Sequence, residues 1–494
     1  MHKWWPLVVV CLGSFMLIVD TTVVTVALPD MARSLDAPLS DMQWVLNIYT
    51  LALGIVTLSA GSLGDLYGKR RIFIISLLLF ALASLTCGLA GNAAVLIAAR
   101  GVQGVGGAAM IGTTLALLGS SYEGKDRGVA IGYWSAVLGM AAAAGPILGG
   151  VLTQYLSWRA IFYINAPISI VALVLAAMFV PESPREQRAR VDIAGIVTFA
   201  VFAGSLIYGL ITAGEHGWTG TTTLVFFGIA AAALVVFALL ERAQQNPMLD
   251  IRLFANASFA TVMFGVVSSA VAFACLVYTS IWLQGVLRLS PLGAGIALVP
   301  MAVTSFLASS LIGKRLHRVP PRVTIGLGLL FNTIGCGLEF LMLHASATAW
   351  TLAPGLVAIG LGIGIGGPGT NAAVLASVPK ERSGMASGAM ATFRQFGQAL
   401  GVAALGVVFL SSISNRLQGD TADPRATAAA VASGGAPDLP ALPDAGAHAL
   451  GLVFLSTAVL SGLACLFTVL WVRGAKEPVP DQRPAPATGH PAEA

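Results

Sequence analysis

Residues 5–28 read WPLVVVCLGSFMLIVDTTVVTVAL, an apolar run with a single charge, Asp20. Coiled as a helix the run rises about 36 Å, more than the roughly 30 Å hydrocarbon core of a bilayer. Comparable runs recur at 44–64, 72–90, 94–119, 129–153, 161–180, 193–213, 222–241, 258–284, 293–313, 323–344, 350–376, 385–412 and 449–472. Barrel strands would instead show about ten alternating residues each, a pattern the sequence lacks. Composition agrees: 56% of residues are hydrophobic and 10% charged, and mean hydropathy is +0.84, outside the range of ordinary soluble domains. An all-α integral membrane protein with about 14 transmembrane helices follows.

The loops fix an orientation, because Lys and Arg in short loops collect on the cytoplasmic side. With the N-terminus inside, the inner loops hold Lys69, Arg70, Arg71, Lys125, Arg127, Arg185, Arg188, Arg190, Arg242, Arg252, Lys314, Arg315, Arg318, Arg322, Lys380, Arg382, Arg473 and Lys476. Only Arg33, Arg159, Arg288, Arg416 and Arg425 fall outside. Both termini are therefore expected in the cytoplasm. The first residues, MHKWW and the apolar run behind them, have the basic start of a signal peptide but no small-residue cleavage site, so they stay as the first span.

The stretch 181–192, PESPREQRARVD, reads as a cytoplasmic linker. Residues 414–447, rich in Ala, Asp, Gly and Pro, read as an external loop, and the tail 477–494 has nothing to bury and reads as disordered. A weak internal repeat, SAGSLGDLYGKRR closing span two against SSLIGKRLHRV closing span ten, predicts two six-helix bundles with two inserted spans. Such repeats are common in secondary transporters. The expected division is 1–182 for the first bundle, 183–255 for the linker and inserted helices, and 256–476 for the second bundle.

Other function classes find little support. Cys11, Cys87, Cys275, Cys336 and Cys465 lie in apolar runs without metal-ligand spacing, so no metal is expected. GLGIGIGGPG in span twelve satisfies a dinucleotide pattern but has no strand before it. GSSYEGKDR, from Gly119, approaches a phosphate loop but carries Asp126 where Ser or Thr should hold magnesium. Neither ATP, nor a cofactor, nor nucleic acid is expected, and no nucleophile with its base argues for an enzyme.

Several strings in order resemble the major facilitator superfamily, specifically its fourteen-span drug:proton antiporter branch. They are IVDTTVVTVALP in span one, GSLGDLYGKRR between spans two and three, RGVQGVGGAAM in span four, GPILGG in span five and WRAIFYINAP entering span six. WLQGVLRLSPLGAGIALVP and FRQFGQALG extend the likeness into the second half. The resemblance implies a major facilitator fold and alternating access. It further implies export of small hydrophobic, cationic molecules in exchange for protons, expected of a monomer. The preference for Arg over Lys and the abundance of Ala and Gly point to a GC-rich bacterial genome, and hence to the cytoplasmic membrane.

It also places spans one and four side by side, so that Asp20, about 12 Å from the outer end of its span by helical rise, and Arg100, at a similar depth of about 9 Å, communicate. Charges at such depth are costly unless paired or wet. Asp20 then exchanges a proton for substrate, with desolvation opposing and Arg100 favouring its ionised form; the alternative is a pair that only fixes packing. Thr25 stands where relatives carry Asn, which bears on substrate range. Gly61, Asp65, Gly68, Lys69, Arg70 and Arg71 form a loop motif in which Asp65 would latch to the start of span thirteen near Ser383; the basic residues also serve topology. Gly145, Pro146, Gly149 and Gly150 kink and closely pack span five, a motif the family associates with exporters, although packing alone explains it. Arg394, near mid-depth in span thirteen, either binds an anionic part of a substrate or hydrogen-bonds carbonyls, Gln395 or Gln398. Glu339 is read as snorkelling to water, with an accessory proton or cation site as the alternative. Phe15, Met16, Tyr133, Trp134, Tyr278 and Trp282 are aromatic or soft surfaces for a flat substrate, or simply core. Two further readings stay open: a dedicated exporter of one secondary metabolite conferring self-resistance, and a membrane sensor or scaffold that transports nothing.

Overall fold

A computed structural model describes residues 2–122, 124–182, 192–244, 247, 249–313, 319–376, 383–433, 435 and 438–472. Helices account for nearly all of them: α1 (Trp5–Leu35), α2 (Leu39–Tyr67), α3 (Lys69–Leu89), α4 (Ala93–Ser121), α5 (Gly124–Tyr155), the short α6 (Ala160–Tyr163), α7 (Asn165–Phe179), α8 (Ile193–His216), α9 (Thr221–Ala243), α10 (Ala257–Ile281), α11 (Pro291–Gly313), α12 (Pro321–Met342), α13 (Ala353–Ala376), α14 (Ser383–Arg416), α15 (Pro424–Ala432) and α16 (Leu442–Trp471). Thirteen spans are long and apolar enough to cross a membrane, counting α6 and α7 as one. The 32-residue α5 makes the fourteenth.

Local chemistry sets the boundaries. Asn92 and Asp192 cap α4 and α8, their side chains accepting from the backbone N–H of Val95 and Gly195 at 2.9 and 2.8 Å. The α2–α3 corner turns on Gly68 alone, at φ +100°. A side chain there would be strained and would also meet the carboxyl of Glu182. Between α10 and α11 the chain continues as a π-helical turn, Trp282–Val286.

The far end, opposite the chain termini, is closed. One apolar core there joins Val24 and Met31 of α1 and Val45 of α2 to Tyr278 of α10, Leu298 of α11 and Phe409 of α14. Direct bonds cross the same boundary: Gln284 donates to the Val26 carbonyl at 2.8 Å, Gln43 to the Tyr278 hydroxyl at 2.9 Å, and Thr392 to the Gly54 carbonyl at 2.6 Å. Towards the termini the core divides. One cluster holds Leu7, Phe73 and Leu117 of α1, α3 and α4, and another holds Phe259, Ile325 and Val374 of α10, α12 and α13. The pair α8 and α9 sits to one side, with Phe199 and Ile207 of α8 against Leu51 of α2 and Ala403 of α14. Leu224, Val235 and Leu239 of α9 face outward, as expected of a helix that meets lipid.

The segment read as an external loop is more ordered than its composition predicts. Asp423 caps α15 by accepting from the N–H groups of Arg425 and Ala426. Buried Ala428 and Val431 then lay the helix over the π-helical turn, where a side chain on Gly285 would strike the Val431 carbonyl. The alanine-rich stretch is thus a small amphipathic helix, concealed in the sequence by the scarcity of large apolar side chains.

Candidate functional site

Asp20 and Arg100 are both sealed from solvent and form an ion pair, Arg100 Nη1 donating to Asp20 Oδ2. Two amides complete the cluster: Gln103 Nε2 donates to Asp20 Oδ1 at 3.0 Å and Asn165 Nδ2 to the same oxygen at 3.2 Å. Asp20 therefore accepts three bonds and donates none, the arrangement of a carboxylate. Asn165 also donates to Ser84 Oγ at 3.0 Å, which draws α3 and α7 into a site begun by α1 and α4. Arg100 has further partners: the Val45 carbonyl at 3.2 Å, Gln103 Oε1 at 2.8 Å and the Tyr49 ring, 3.8 Å from Cζ to centroid. The similar depth of the two charges, with the adjacency of spans one and four that the resemblance implied, anticipated the pairing of Asp20 and Arg100. Gln103 and Asn165 stand inside the strings RGVQG and YINAP, where uncharged amides in an apolar run give no cost signal as strong as a charge.

Thr25 is buried, but its hydroxyl donates to the Thr22 carbonyl of its own helix at 2.7 Å rather than to Asp20. In the loop motif, Arg70 donates to the Ala177 carbonyl at the end of α7, and Arg71 pairs with Glu182 at 3.8 Å. These two residues tie the α2–α3 corner to its own neighbour α7. Gly61 and Asp65 lie in α2 and Ser383 in α14, but their surroundings lie outside the described residues, and with them the expected latch.

The α5 glycines sit where two neighbours press on one helix. A side chain on Gly145 would strike the Thr22 hydroxyl, and one on Gly149 would come within 2.8 Å of the Val23 carbonyl, both on α1. Gly150 faces the other way, against Leu292 and Pro291 of α11, whose Gly295 in turn lies against the Pro146 carbonyl. The motif thus packs α5 between α1 and a helix from the second half of the chain.

Arg394 is exposed although it lies eleven residues into α14, and it makes no hydrogen bond or ion pair among the described residues. Its direction follows from its neighbours. Thr392 and Gln395 meet Gly54 of α2, Gly397 and Gly401 meet α10, and Phe396 meets Phe199 of α8. At about 100° per residue Arg394 falls between the α2 and α10 faces, away from α8 and towards the interior. Exposed and aimed inward, Arg394 makes none of the expected bonds to carbonyls, Gln395 or Gln398 among the described residues. On α2, Asn47 is buried with both amide atoms unpaired, on the face that carries Gln43 and Gly54 towards α14.

Glu339 does not snorkel. It is 1% exposed, because its helix face turns into α13 instead of towards the nearby end of the span. Tyr278 and Trp282 are also fully buried, as far-end core. Met16 is buried too, while Trp134 donates to Ser14 at 2.8 Å and Tyr133 is exposed.

Comparison with known proteins bears on the same features. The chain is 37% identical to the multidrug resistance protein Stp of Mycobacterium tuberculosis (strain CDC 1551 / Oshkosh), across 82% of this chain and 76% of that one. It is 31% identical to the tetracenomycin C resistance and export protein of Streptomyces glaucescens, across 99% of this chain and 95% of that one. Its fold matches the crystal structure of a bacterial homolog of the human lysosomal transporter Spinster, inward-facing and unoccupied, with a TM-score of 0.66 at 17% identity, covering 95% and 97% of the two chains. Residues 10–402 match the family model of the Major Facilitator Superfamily, and the chain, a multi-pass membrane protein of some fourteen helices, belongs to that family of transporters.

Proposed function

We propose that this protein exports small hydrophobic, cationic drugs or metabolites in exchange for protons, by alternating access of two bundles, 1–182 and 256–476, joined by the linker and inserted helices of 183–255. The observation that carries the reading is the carboxylate of Asp20, sealed from the surface beside Arg100 at a depth where charge is costly and rarely without function. The names of the two relatives, one for multidrug resistance and one for antibiotic export, point the same way.

The asymmetry of Lys and Arg in the loops puts both termini in the cytoplasm of a bacterial cell. The closed far end then faces outward, and the cleft containing Arg394 opens inward to receive cargo. In this state Asp20 is out of reach of solvent, so proton exchange waits for the rearrangement that opens the far end. Protonation of Asp20 would remove the charge that Arg100 binds, and Arg100 would fall back on Val45, Gln103 and Tyr49. Gly145, Pro146, Gly149 and Gly150 form a close contact between the bundles that holds the far end closed, and the Gly61–Arg71 loop motif governs the inner gate. Arg394 selects cargo by attracting anionic substituents, and Thr25 affects substrate range from the adjacent wall. The protein works as a monomer in lipid without ATP or a cofactor.

A second reading, a dedicated exporter of one secondary metabolite, is favoured by the likeness to the tetracenomycin C exporter over 99% of this chain. The deciding experiment is efflux of ethidium from cells making wild type or Asp20→Asn at equal levels, with and without an uncoupler. Uncoupler-sensitive efflux that Asp20→Asn cripples supports the antiporter. Unchanged efflux in the variant removes Asp20 from the mechanism, and no transport of any lipophilic cation by wild type selects the dedicated exporter.

A further inference from the structure

The contact between α12 and α13 has an unusual register. Three polar residues of α12 each lie opposite a glycine of α13: Glu339 against Gly355, Asn332 against Gly362, and Thr324 against Gly369. The glycines repeat every seven residues, so they line one helix face, and a side chain on any of them would occupy the space of the polar group opposite. All three polar residues are at most 1% exposed. Both carboxyl oxygens of Glu339 and both amide atoms of Asn332 lack a hydrogen-bond partner.

The surroundings of Glu339 contain no cation among the described residues. The titratable groups close enough to feel its charge are the thiols of Cys275 on α10 and Cys336 on its own helix. The backbone N–H of Leu356, in the first turn of α13, faces the carboxyl without reaching hydrogen-bond geometry. A bare carboxylate in such a place would be strongly disfavoured, whereas the neutral acid costs far less. Glu339 lies three residues from the far end of α12, within one helical turn of that surface. From Glu339 to Thr324 the polar file spans about 22 Å by helical rise, most of the hydrocarbon thickness. Buried amides without partners and with glycine opposite are places where ordered water can bridge.

We propose that the α12–α13 contact is a proton path through the second half of the protein, with Glu339 as its proton-binding group and Asn332 and Thr324 as its polar relay. The carboxylate takes one proton from the far side to become the neutral acid that its sealed setting favours. It gives the same proton up towards the terminal side when the two helices shift and water enters the file. The inference rests on the proton-coupled reading above and adds to it a site remote from Asp20.

The test uses the full-length protein in liposomes, with ethidium as probe and two modes of transport. One is driven by a pH gradient; the other is ethidium counterflow without a gradient, which needs the conformational cycle but no net proton movement. Glu339→Gln, which mimics the protonated acid, is expected to lower gradient-driven transport at least about tenfold while counterflow stays within about twofold. Asn332→Leu is expected to slow gradient-driven transport alone. Gradient-driven transport at the wild-type rate in Glu339→Gln overturns the proposal, as does equal loss of both modes in protein that remains monodisperse. If wild type itself ignores the gradient, the proton-coupled reading falls and this proposal falls with it. If wild type responds and Asp20→Asn does not, while Glu339→Gln behaves as wild type, the proton path alone is refuted.

Discussion

Replacing Gly150 by alanine tests whether the α5–α11 contact holds the far end closed. The new methyl carbon would lie 2.7 Å from Leu292 Cα and 2.8 Å from the Pro291 carbonyl oxygen. Both are backbone atoms that cannot rotate away, and comfortable separation for such atoms is about 3.5 Å or more. The helices must therefore part by roughly 0.7 Å, the kind of overpacking that costs about 1–3 kcal/mol. Because α5 and α11 come from different halves of the chain, the penalty applies to the far-closed state and is relieved when the far end opens. At 1.4 kcal/mol per factor of ten, the ratio of molecules open towards the termini to molecules open at the far end should fall by about 5- to 100-fold. Position 387 reports on the former population, since Ser387 lies two turns from Arg394 on the same face of α14 and Ser387→Cys is a small change. In a background without the five native cysteines, the initial rate of maleimide labelling of the introduced thiol should drop in Gly150→Ala. Gly132→Ala in the same helix, where an added methyl meets nothing within 4 Å, should leave it alone. Unchanged labelling in well-folded Gly150→Ala would refute the claim that this contact controls closure.

Three further substitutions probe other parts of the structure. Gln103→Leu removes one donor from Asp20 and one acceptor from Arg100 in a dry site; at about 1–3 kcal/mol for stranded buried groups, ethidium efflux at equal protein level should fall about tenfold or more. Gly68→Ala forces a side chain to φ +100° beside Glu182 and should cost about 1–2 kcal/mol, read as a lower midpoint in detergent thermal unfolding. Lys3→Ala breaks a pair with Asp126 at 2.6 Å in which both side chains are largely exposed, so neither midpoint nor efflux should change measurably.

The number and course of the spans were legible because bilayer thickness and the cost of burying charge act on each segment separately. Asp20 and Arg100 were legible for the same reason: a charge inside an apolar run is conspicuous, and helical rise gives its depth. Rise gives no direction around the helix axis, however. Glu339 and Arg394 show the consequence, since the residue nearer a membrane surface proves sealed and the one nearer mid-depth proves exposed. Direction depends on which neighbour each face meets, and for α12 that is decided by glycines on α13, far along the chain. Helix α15 escaped notice because its alanines give little hydropathy contrast, though they fit closely over the π-helical turn.

The cluster around Asp20 has the properties a reversible charge switch requires. A buried ion pair with no other support is hard to break, because parting the charges strands both in a medium that solvates neither. Here each partner has an alternative. Asp20 keeps the amides of Gln103 and Asn165 if Arg100 withdraws, and Arg100 keeps the Val45 carbonyl, Gln103 Oε1 and the Tyr49 ring if Asp20 is neutralised. Gln103 serves both sides, accepting from the arginine while donating to the carboxylate. On the proposed antiport reading, Gln103 and Asn165 hold Asp20, and Gln103 also holds Arg100, when the pair parts, so that neither charge is stranded.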